Sequence, residues 1–198
     1  RQFQIRFRKK LQGRDTEAAQ AKTNQELRKK YDQRIKALLQ QQQSLYEAFV
    51  RGYVQNEIDT GVLTLARTPH LLHCHLRAPE PWLRTPKATS VTLYPLAESD
   101  DSLLTINLHA VNFSFGVKEY RCQLEAAAAL MRAREGPVIF GGDLKTWSNR
   151  RQATLDAVTD ELGLTAVPFS PDHRTSRLGR PLDHIYVRDL TSQSSETV

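Results

Sequence analysis

The pattern of apolar and polar positions changes near residue 56. Before that point, a stretch rich in Gln, Lys and Arg carries apolar residues at the spacing of a helix, at Tyr31, Ile35, Leu38, Leu45 and Phe49. Residues three, four or seven positions apart share one helix face, so the spacing predicts an amphipathic helix around 27–53. It covers fewer heptads than a coiled coil needs. We expect this helix to dock on the rest of the protein or on a partner.

The pattern after residue 60 is that of an α/β domain. Runs rich in β-branched and apolar residues predict strands, and runs with helically spaced apolar residues predict helices. The predicted strands are 60–66, 89–96, 102–113, 137–140, 164–169 and 182–190, and the predicted helices are 117–135 and 149–164. Residues 67–82 are Pro-rich and are expected to be irregular, with room for a short strand.

These patterns divide the chain into three parts. Residues 1–56 form the basic helical segment, residues 57–190 form the α/β domain, and the polar residues 191–198 are expected to be a flexible tail. We interpret the fold class as α/β (α+β).

Charge is unevenly placed along the chain. The net charge is +6, and residues 1–59 hold 13 Lys and Arg against 7 Asp and Glu, while the remainder is balanced. Such a basic segment can bind the phosphates of nucleic acid or of a membrane surface. The alternative is a solvated basic helix without a partner. No apolar run is long enough to predict a transmembrane helix. Two widely separated cysteines, Cys74 and Cys122, suit reduced thiols in a cytoplasmic protein.

Two glycines precede an acidic residue at the end of a predicted strand. Gly141 and Gly142 can adopt backbone angles that residues with a Cβ resist, and they leave room for a ligand or a metal. Asp143 follows them at the strand end, where open sheets tend to place ligands. Taken alone, Asp143 is better explained as a turn or helix-capping residue.

Two other predicted strands carry residues able to do chemistry. His109 lies in an apolar strand, where a lone His is commonly a core residue. Asp183 and His184 open the last strand, and adjacent strand residues face opposite sides. The pair therefore directs a carboxylate toward one neighbour and an imidazole toward another, or it is an ordinary charged strand start.

Together, these stretches resemble a known superfamily. The strings NLHAVNFS, GGDLKTWSNRR and GRPLDHIYVR are similar to the late motifs of endonuclease/exonuclease/phosphatase proteins, and with TGVLTLA they resemble a bacterial branch of that superfamily. The resemblance covers residues 60–190. It implies a two-sheet α/β sandwich with a site at the strand ends between the sheets. It also implies divalent-metal-dependent hydrolysis of a phosphoester, with Mg²⁺ or Mn²⁺ as the cofactor.

The resemblance also implies roles for individual residues. His184 would be the general base that takes a proton from the attacking water. Asp183 would lie near the metal, and Asp143 would help position the nucleophile or the metal-bound water, so that both carboxylates are candidate metal ligands. His109 would donate to the phosphoryl oxygens as charge builds on them.

Three further residues are candidates for binding the substrate. Asn112 follows His109, and Arg180 lies in the basic loop before the last strand. Lys145 stands where the family motif has Asn; a Lys can bind phosphate as a point charge, but it repels a nearby metal.

The early motifs of the superfamily are not found in this sequence. Its opening-strand Asn and metal-binding Glu have no counterpart, and Glu57 lacks the apolar strand expected before it. We therefore expect a sandwich that is incomplete at its N-terminus, with its exposed edge or face covered by the added N-terminal helix, within one chain or through a homodimer.

Three interpretations follow. The leading one is a nuclease-like phosphodiester hydrolase whose expected substrate is nucleic acid, with a phospholipid or a phosphorylated small molecule as the alternative substrates. The alternative is a degenerate or truncated, non-catalytic binding module of the same fold. A third is that the chain is a truncated gene product whose first 56 residues are foreign to the fold.

Overall fold

The computed structural model describes residues 46–55, 58–97 and 99–196, and it describes side chains from residue 61 onward within those ranges. The elements in chain order are β1 (Tyr46–Gln55), β2 (Ile58–Ala66), β3 (Leu72–Pro79), β4 (Pro86–Pro95), β5 (Ser102–His109), α1 (Lys118–Arg132), β6 (Val138–Asp143), α2 (Asn149–Glu161), β7 (Thr165–Ala166), β8 (Ser176–Arg177), β9 (Arg180–Pro181) and β10 (Asp183–Arg188).

A six-stranded mixed sheet organises the fold. Its strand order is β3-β4-β5-β6-β10-β7, and β8 and β9 form a small separate hairpin. Strands β5 and β6 run parallel and are joined by α1, whereas the other neighbouring pairs in the sheet are antiparallel. The predicted α/β fold class is confirmed.

A second, two-stranded sheet stacks on one face of the large sheet. Strands β1 and β2 pair as an antiparallel hairpin that packs against β4 and β5. The Asn107 side-chain amide donates to Leu63 O at 3.1 Å, and Val62 packs with Ala88. Since Asn107 and Ala88 lie on one face of the large sheet, the hairpin covers part of that face.

The main core lies on the other face, beneath the two helices. Burial alternates along β5, so that Leu104, Ile106 and Leu108 point toward the helices. Helix α1 buries one stripe against them, as its apolar spacing predicted: Tyr120, Leu124, Ala127, Ala128 and Met131. Phe140 of β6 stacks on Tyr186 of β10 with ring centroids 6.3 Å apart. This core fixes the strand ends that carry the candidate site.

The predicted N-terminal helix is wrong over 46–53. These residues belong to β1, whose residues pair with Ile58–Ala66. The segment contains aromatic and β-branched residues together with a glycine, which favour a strand over a helix. The predicted helix before residue 46, and Glu57, lie outside the described residues.

Two further segments had been predicted to lack regular structure. The Pro-rich stretch expected to be irregular contains the eight-residue strand β3, stabilised by its ladder with β4. Residues 191–196 run beside the segment that follows β7, where Ser170 N donates to Ser195 O at 3.0 Å. Flexibility of this tail stays a prediction. Neither helix in the described ranges is long and apolar enough to cross a membrane.

Candidate active site

Three candidate residues meet at one edge of the large sheet. In the parallel ladder between β5 and β6, His109 is the partner of Asp143. In the antiparallel ladder between β6 and β10, Asp143 is the partner of Asp183. Residues paired across a ladder share a face, so His109, Asp143 and Asp183 lie side by side on the face opposite the helices. We call this row of three residues the site row.

His184 does not belong to the site row. It is the ladder partner of Gly142 and faces the helices, with its Nε2 2.6 Å from Thr146 Oγ1. Its ring stacks on that of Tyr186 at 6.0 Å. Asp143 and His184 therefore lie on opposite faces of the sheet, because the two-residue period of β10 sends Asp183 to one face and His184 to the other.

The double glycine makes room for neighbouring strands rather than for a ligand. A Cβ on Gly142 would lie 2.1 Å from Leu108 O, and φ at this residue is +134°. A Cβ on Gly141 would lie 2.7 Å from His184 O. These backbones approach too closely for any side chain, so the glycines let β5 and β10 close on β6. Asp143 is thereby placed at the sheet edge.

Lys145 lies beside Asp143. Its Nζ is 2.6 Å from Asp143 Oδ2, and both side chains are largely buried. The lysine has a φ of +53°, in the left-handed region that favours Gly or Asn. Lys145 adopts this backbone conformation although lysine has no strong preference for it, and its ammonium thereby contacts the carboxylate of Asp143.

Burial and two cations keep the imidazole of His109 neutral. Its pKa is lowered to about 4, mainly by burial and then by the ammonium of Lys87; Lys145 acts in the same direction, and the carboxylate of Asp143 opposes them. A neutral imidazole offers one N–H donor and one acceptor nitrogen at physiological pH. His109 can therefore exchange a proton with a reacting group.

The two carboxylates of the site row suit a hydrated divalent ion. Asp143 Oδ1 is buried and has no hydrogen-bond partner among the described residues, because Lys145 occupies only Oδ2. Asp183 is the adjacent carboxylate. Mg²⁺ is commonly held by one or two carboxylates with water completing its shell. Within the described part of the chain, no group of three or more His, Cys, Asp and Glu side chains is arranged to hold a metal ion by itself.

The loop after His109 is held by three buried side chains that the sequence did not single out. Glu80 Oε1 accepts from the backbone N–H groups of Asn112, at 2.7 Å, and Phe113. Gln123 accepts from Val111 N at 2.8 Å and donates to His109 O at 3.0 Å. Their partners lie far away in the sequence, so no local pattern reveals them.

Arg151 is the third buried clamp. Its guanidinium donates to the carbonyls of Val111 and, at 2.7 Å, Lys145, and it lies 3.9 Å above the ring of Tyr120. It therefore ties the loop after β5 to the turn after β6. One signal for it was present in the sequence: Arg in the first turn of a helix opposes the helix dipole and calls for another role.

The remaining predicted residues lie around this edge. The Asn112 side-chain oxygen accepts from Trp147 Nε1 at 3.0 Å, which places Asn112 beside the turn that carries Lys145. Arg180 donates to the side-chain oxygen of Asn149, at the start of α2. Arg174 pairs with Asp172 at 2.7 Å and donates to Asp183 O at 3.1 Å. These contacts position the arginines on the loop that leads into β10.

Curated relatives of this chain are bacterial UPF0294 proteins, and no protein-family model matches the chain. A UPF0294 protein of Vibrio parahaemolyticus is 35% identical over 173 residues, which cover 80% of this chain and 61% of the relative. One of Vibrio vulnificus is 44% identical over 140 residues, covering 69% and 48%. One of Photorhabdus laumondii is 44% identical over 141 residues, covering 71% and 54%. The chain thus spans roughly half the length of these relatives.

Solved structures with a similar fold are more distant in sequence. The structure of ANGEL2, a 2',3'-cyclic phosphatase, aligns with a TM-score of 0.57 and 11% identity over 79% of this chain and 66% of that one. The human Nocturnin catalytic domain aligns at 0.54 and 14%, over 77% and 63%. An endonuclease/exonuclease/phosphatase family protein from Bacteroides thetaiotaomicron aligns at 0.51 and 17%, over 72% and 59%. At these identities the likeness shows the fold, and that fold is the α/β fold of endonuclease/exonuclease/phosphatase proteins.

Proposed function

We propose that the chain carries the catalytic face of a divalent-metal-dependent phosphoester hydrolase. The observation that carries this proposal is the site row, in which His109, Asp143 and Asp183 occupy neighbouring register positions at one sheet edge. An imidazole beside two carboxylates is a set able to orient water and move a proton, and the two carboxylates would supply part of the shell of a hydrated metal ion. The endonuclease/exonuclease/phosphatase fold supports the same reaction class.

We assign proton transfer to His109 rather than to His184. His109 is the imidazole that lies next to Asp143 in the site row, whereas His184 faces α2 and contacts Thr146. A pKa of about 4 makes free His109 a weak base. A bound phosphate group would offset the two ammonium groups that lower this pKa and would raise it, so that His109 becomes a better base when the substrate is present.

Asp143 and Asp183 would hold Mg²⁺ or Mn²⁺. A bound ion would stabilise negative charge on the phosphoryl oxygens. Lys145, paired with Asp143 at 2.6 Å, is placed to bind a phosphate oxygen as a point charge. Lys87 supplies a second ammonium whose charge reaches His109. Two cations at this edge fit an anionic phosphate substrate, and nucleic acid is the class we propose. Homodimerisation through the N-terminal segment stays a prediction.

The Asp143–Lys145 ion pair favours one second candidate function. An ammonium that neutralises the carboxylate competes with a metal, as expected for a non-catalytic binding module of the same fold. Such a module would bind phosphate-bearing ligands without turnover. Its binding of ligands would persist if Asp143 or Asp183 were neutralised.

The experiment is hydrolysis of bis(p-nitrophenyl) phosphate and of plasmid DNA with Mg²⁺, with Mn²⁺ and with EDTA. Asp143→Asn and Asp183→Asn would be compared with Asp189→Asn, a matched exposed Asp just past the far end of β10. The proposal predicts metal-dependent turnover that falls at least about a hundredfold in the first two variants and persists in the third. Absence of turnover from folded protein, or equal turnover in all variants, would favour the binding module or a contaminating nuclease.

A further inference from the structure

The sheet edge that carries the site row also carries an exposed apolar patch. Four large side chains are prominently exposed there: Trp82 (73%), Leu83 (61%), Phe113 (52%) and Phe115 (82%). They come from the turn between β3 and β4 and from the loop between β5 and α1. Apolar side chains clustered on a protein surface commonly mark a binding site. We call these four residues the aromatic patch.

Contacts join the two segments into one surface. The rings of Trp82 and Phe115 meet edge to face, with centroids 5.3 Å apart and planes at 74°. Below them, the buried carboxylate of Glu80 accepts from the backbone N–H of Asn112 and of Phe113. The turn itself is closed by Arg84 N donating to Glu80 O at 2.8 Å. The patch is thus a single, braced surface.

The patch lies close to the site row. Phe113 follows His109 by four residues, a length of chain that spans at most about 14 Å. Glu80, which braces the patch, also pairs with Lys87 at 3.5 Å. Lys87 is one of the two ammonium groups that, together with burial, lower the pKa of His109. One ligand can therefore contact both the patch and the site row.

The ring geometry and the charges favour a nucleobase as the occupant. Two nearly perpendicular, exposed rings form a corner in which a third planar ring can stack on one and meet the edge of the other. Arg84 is an exposed cation in the turn between β3 and β4, whereas the exposed Lys118 at the start of α1 is followed by the exposed Glu119, so the cationic character of the patch rests on Arg84 together with Lys87 beneath it. Aromatic faces combined with cations are the features by which proteins bind single-stranded nucleic acid without sequence preference.

We propose that the aromatic patch stacks an unpaired base of a single-stranded nucleic acid, with a phosphate of the same strand held at Lys87, Lys145 and His109. The proposal deepens the proposed function by naming single strands as the substrate class, and it rests on that function for the fate of the bound strand. Binding itself can be measured without turnover.

The test is fluorescence anisotropy with a labelled oligothymidylate and a labelled oligomer of the same length built of abasic sites. Both would be titrated with the full chain in EDTA, so that no metal-dependent hydrolysis occurs. We expect the oligothymidylate to bind roughly tenfold more tightly, because the two oligomers share their phosphates and differ in stacking. Trp82→Ala should remove that preference, and Trp82→Phe should keep most of it.

Leu72→Ala is the matched control, since Leu72 is an exposed apolar residue at the opposite end of the β3–β4 hairpin. It should leave the preference for bases unchanged, and thermal melting would verify that every variant is folded. Equal affinity for the two oligomers, or a preference that survives Trp82→Ala, would overturn the proposal. So would tight binding to phosphatidylglycerol vesicles without binding to oligothymidylate, which would assign the patch to a membrane surface. Base-dependent binding without hydrolysis would refute only the proposed activity; hydrolysis without base-dependent binding would refute only the patch.

Discussion

Asp183 stands directly opposite Asp143 in the ladder between β10 and β6, on the face of the sheet away from the helices. This pairing brings together two carboxylates that lie forty residues apart in the chain. The same ladder sets His184 opposite Gly142, on the face that packs against α2. A shift of one residue in register would exchange the two side chains and their roles. The assignment of the site therefore depends on the register of one ladder.

Removing the ammonium beside Asp143 should strengthen metal binding. In Lys145→Asn the ion pair of 2.6 Å is lost, and Asn tolerates the left-handed backbone at this position. We expect Mn²⁺, measured by electron paramagnetic resonance or calorimetry, to bind roughly tenfold more tightly. Lys118→Gln, at an exposed position on α1, should have no effect. Weaker Mn²⁺ binding in Lys145→Asn would show that the lysine does not compete with the ion.

Gly142 is expected to be intolerant of any side chain. A Cβ in Gly142→Ala would lie 2.1 Å from Leu108 O, so that β5 and β6 would have to separate. We expect a loss of about 3 kcal/mol or more in the free energy of unfolding, measured by urea denaturation. Gly179→Ala is the matched comparison, because it has a φ of +74° but open space around the added atom. It should lose only about 1 kcal/mol. Similar losses in the two variants would contradict the close approach.

Arg151 is expected to stabilise both the fold and the loop after β5. Arg151→Met retains much of the buried volume but leaves the carbonyls of Val111 and Lys145 without their donor. The expected loss is about 2–5 kcal/mol, with faster amide exchange across 110–114. The neighbouring Arg150 is exposed, so Arg150→Met should change the free energy of unfolding by less than about 0.5 kcal/mol. Unchanged exchange in Arg151→Met would mean that the loop is held by other contacts.

The free energy of unfolding should decrease as the pH is lowered, because His109 is buried in its neutral form. Its pKa is about 4 in the folded protein against 6.5 when unperturbed, with Lys87 and Lys145 adding to the effect of burial and Asp143 opposing it. The unfolded chain binds the proton first, so this stabilisation is complete above about pH 6.5 and is lost as pH falls toward 4.

In EDTA, we expect His109 to account for roughly 2 kcal/mol of the decrease in unfolding free energy between about pH 7.5 and about pH 5. His109→Gln should reduce that decrease by the same amount, since Gln does not titrate. Urea denaturation at the two pH values measures both quantities. An identical pH dependence in the two proteins would show that His109 is not desolvated.

The sequence predicted much of the sheet and part of the site. Local patterns of apolar residues predict strand β5 and helix α1. The apolar run and the two glycines before Asp143 predict that this residue lies at a strand end. The sequence did not predict which face His184 occupies relative to Asp143, because alternation along one strand says nothing about its register with another. It also misassigned 46–53, where a helical spacing of apolar residues coincided with strand-forming residue types.

The contacts that brace the site could not be predicted, since they join distant parts of the chain. Glu80 reaches the N–H groups of Asn112 and Phe113, and Arg151 reaches Val111 O. Glu80 is ordinary in its local sequence, and the first-turn position of Arg151 signals only that this residue has another role; the groups that the two side chains reach are explained only by the tertiary fold. The aromatic patch has the same origin, because Trp82 and Phe115 meet only when the two loops are brought together at one sheet edge.

The most direct test of the account is to compare His109→Ala with His184→Gln for metal-dependent hydrolysis of bis(p-nitrophenyl) phosphate. Thermal melting would establish that both variants are folded. If the site row carries the chemistry, His109→Ala should lower kcat by about 10²–10⁴-fold, while His184→Gln should stay within about tenfold of the unmodified protein. Loss of turnover in His184→Gln, with activity retained in His109→Ala, would contradict the assignment and return the catalytic role to the face that packs against α2.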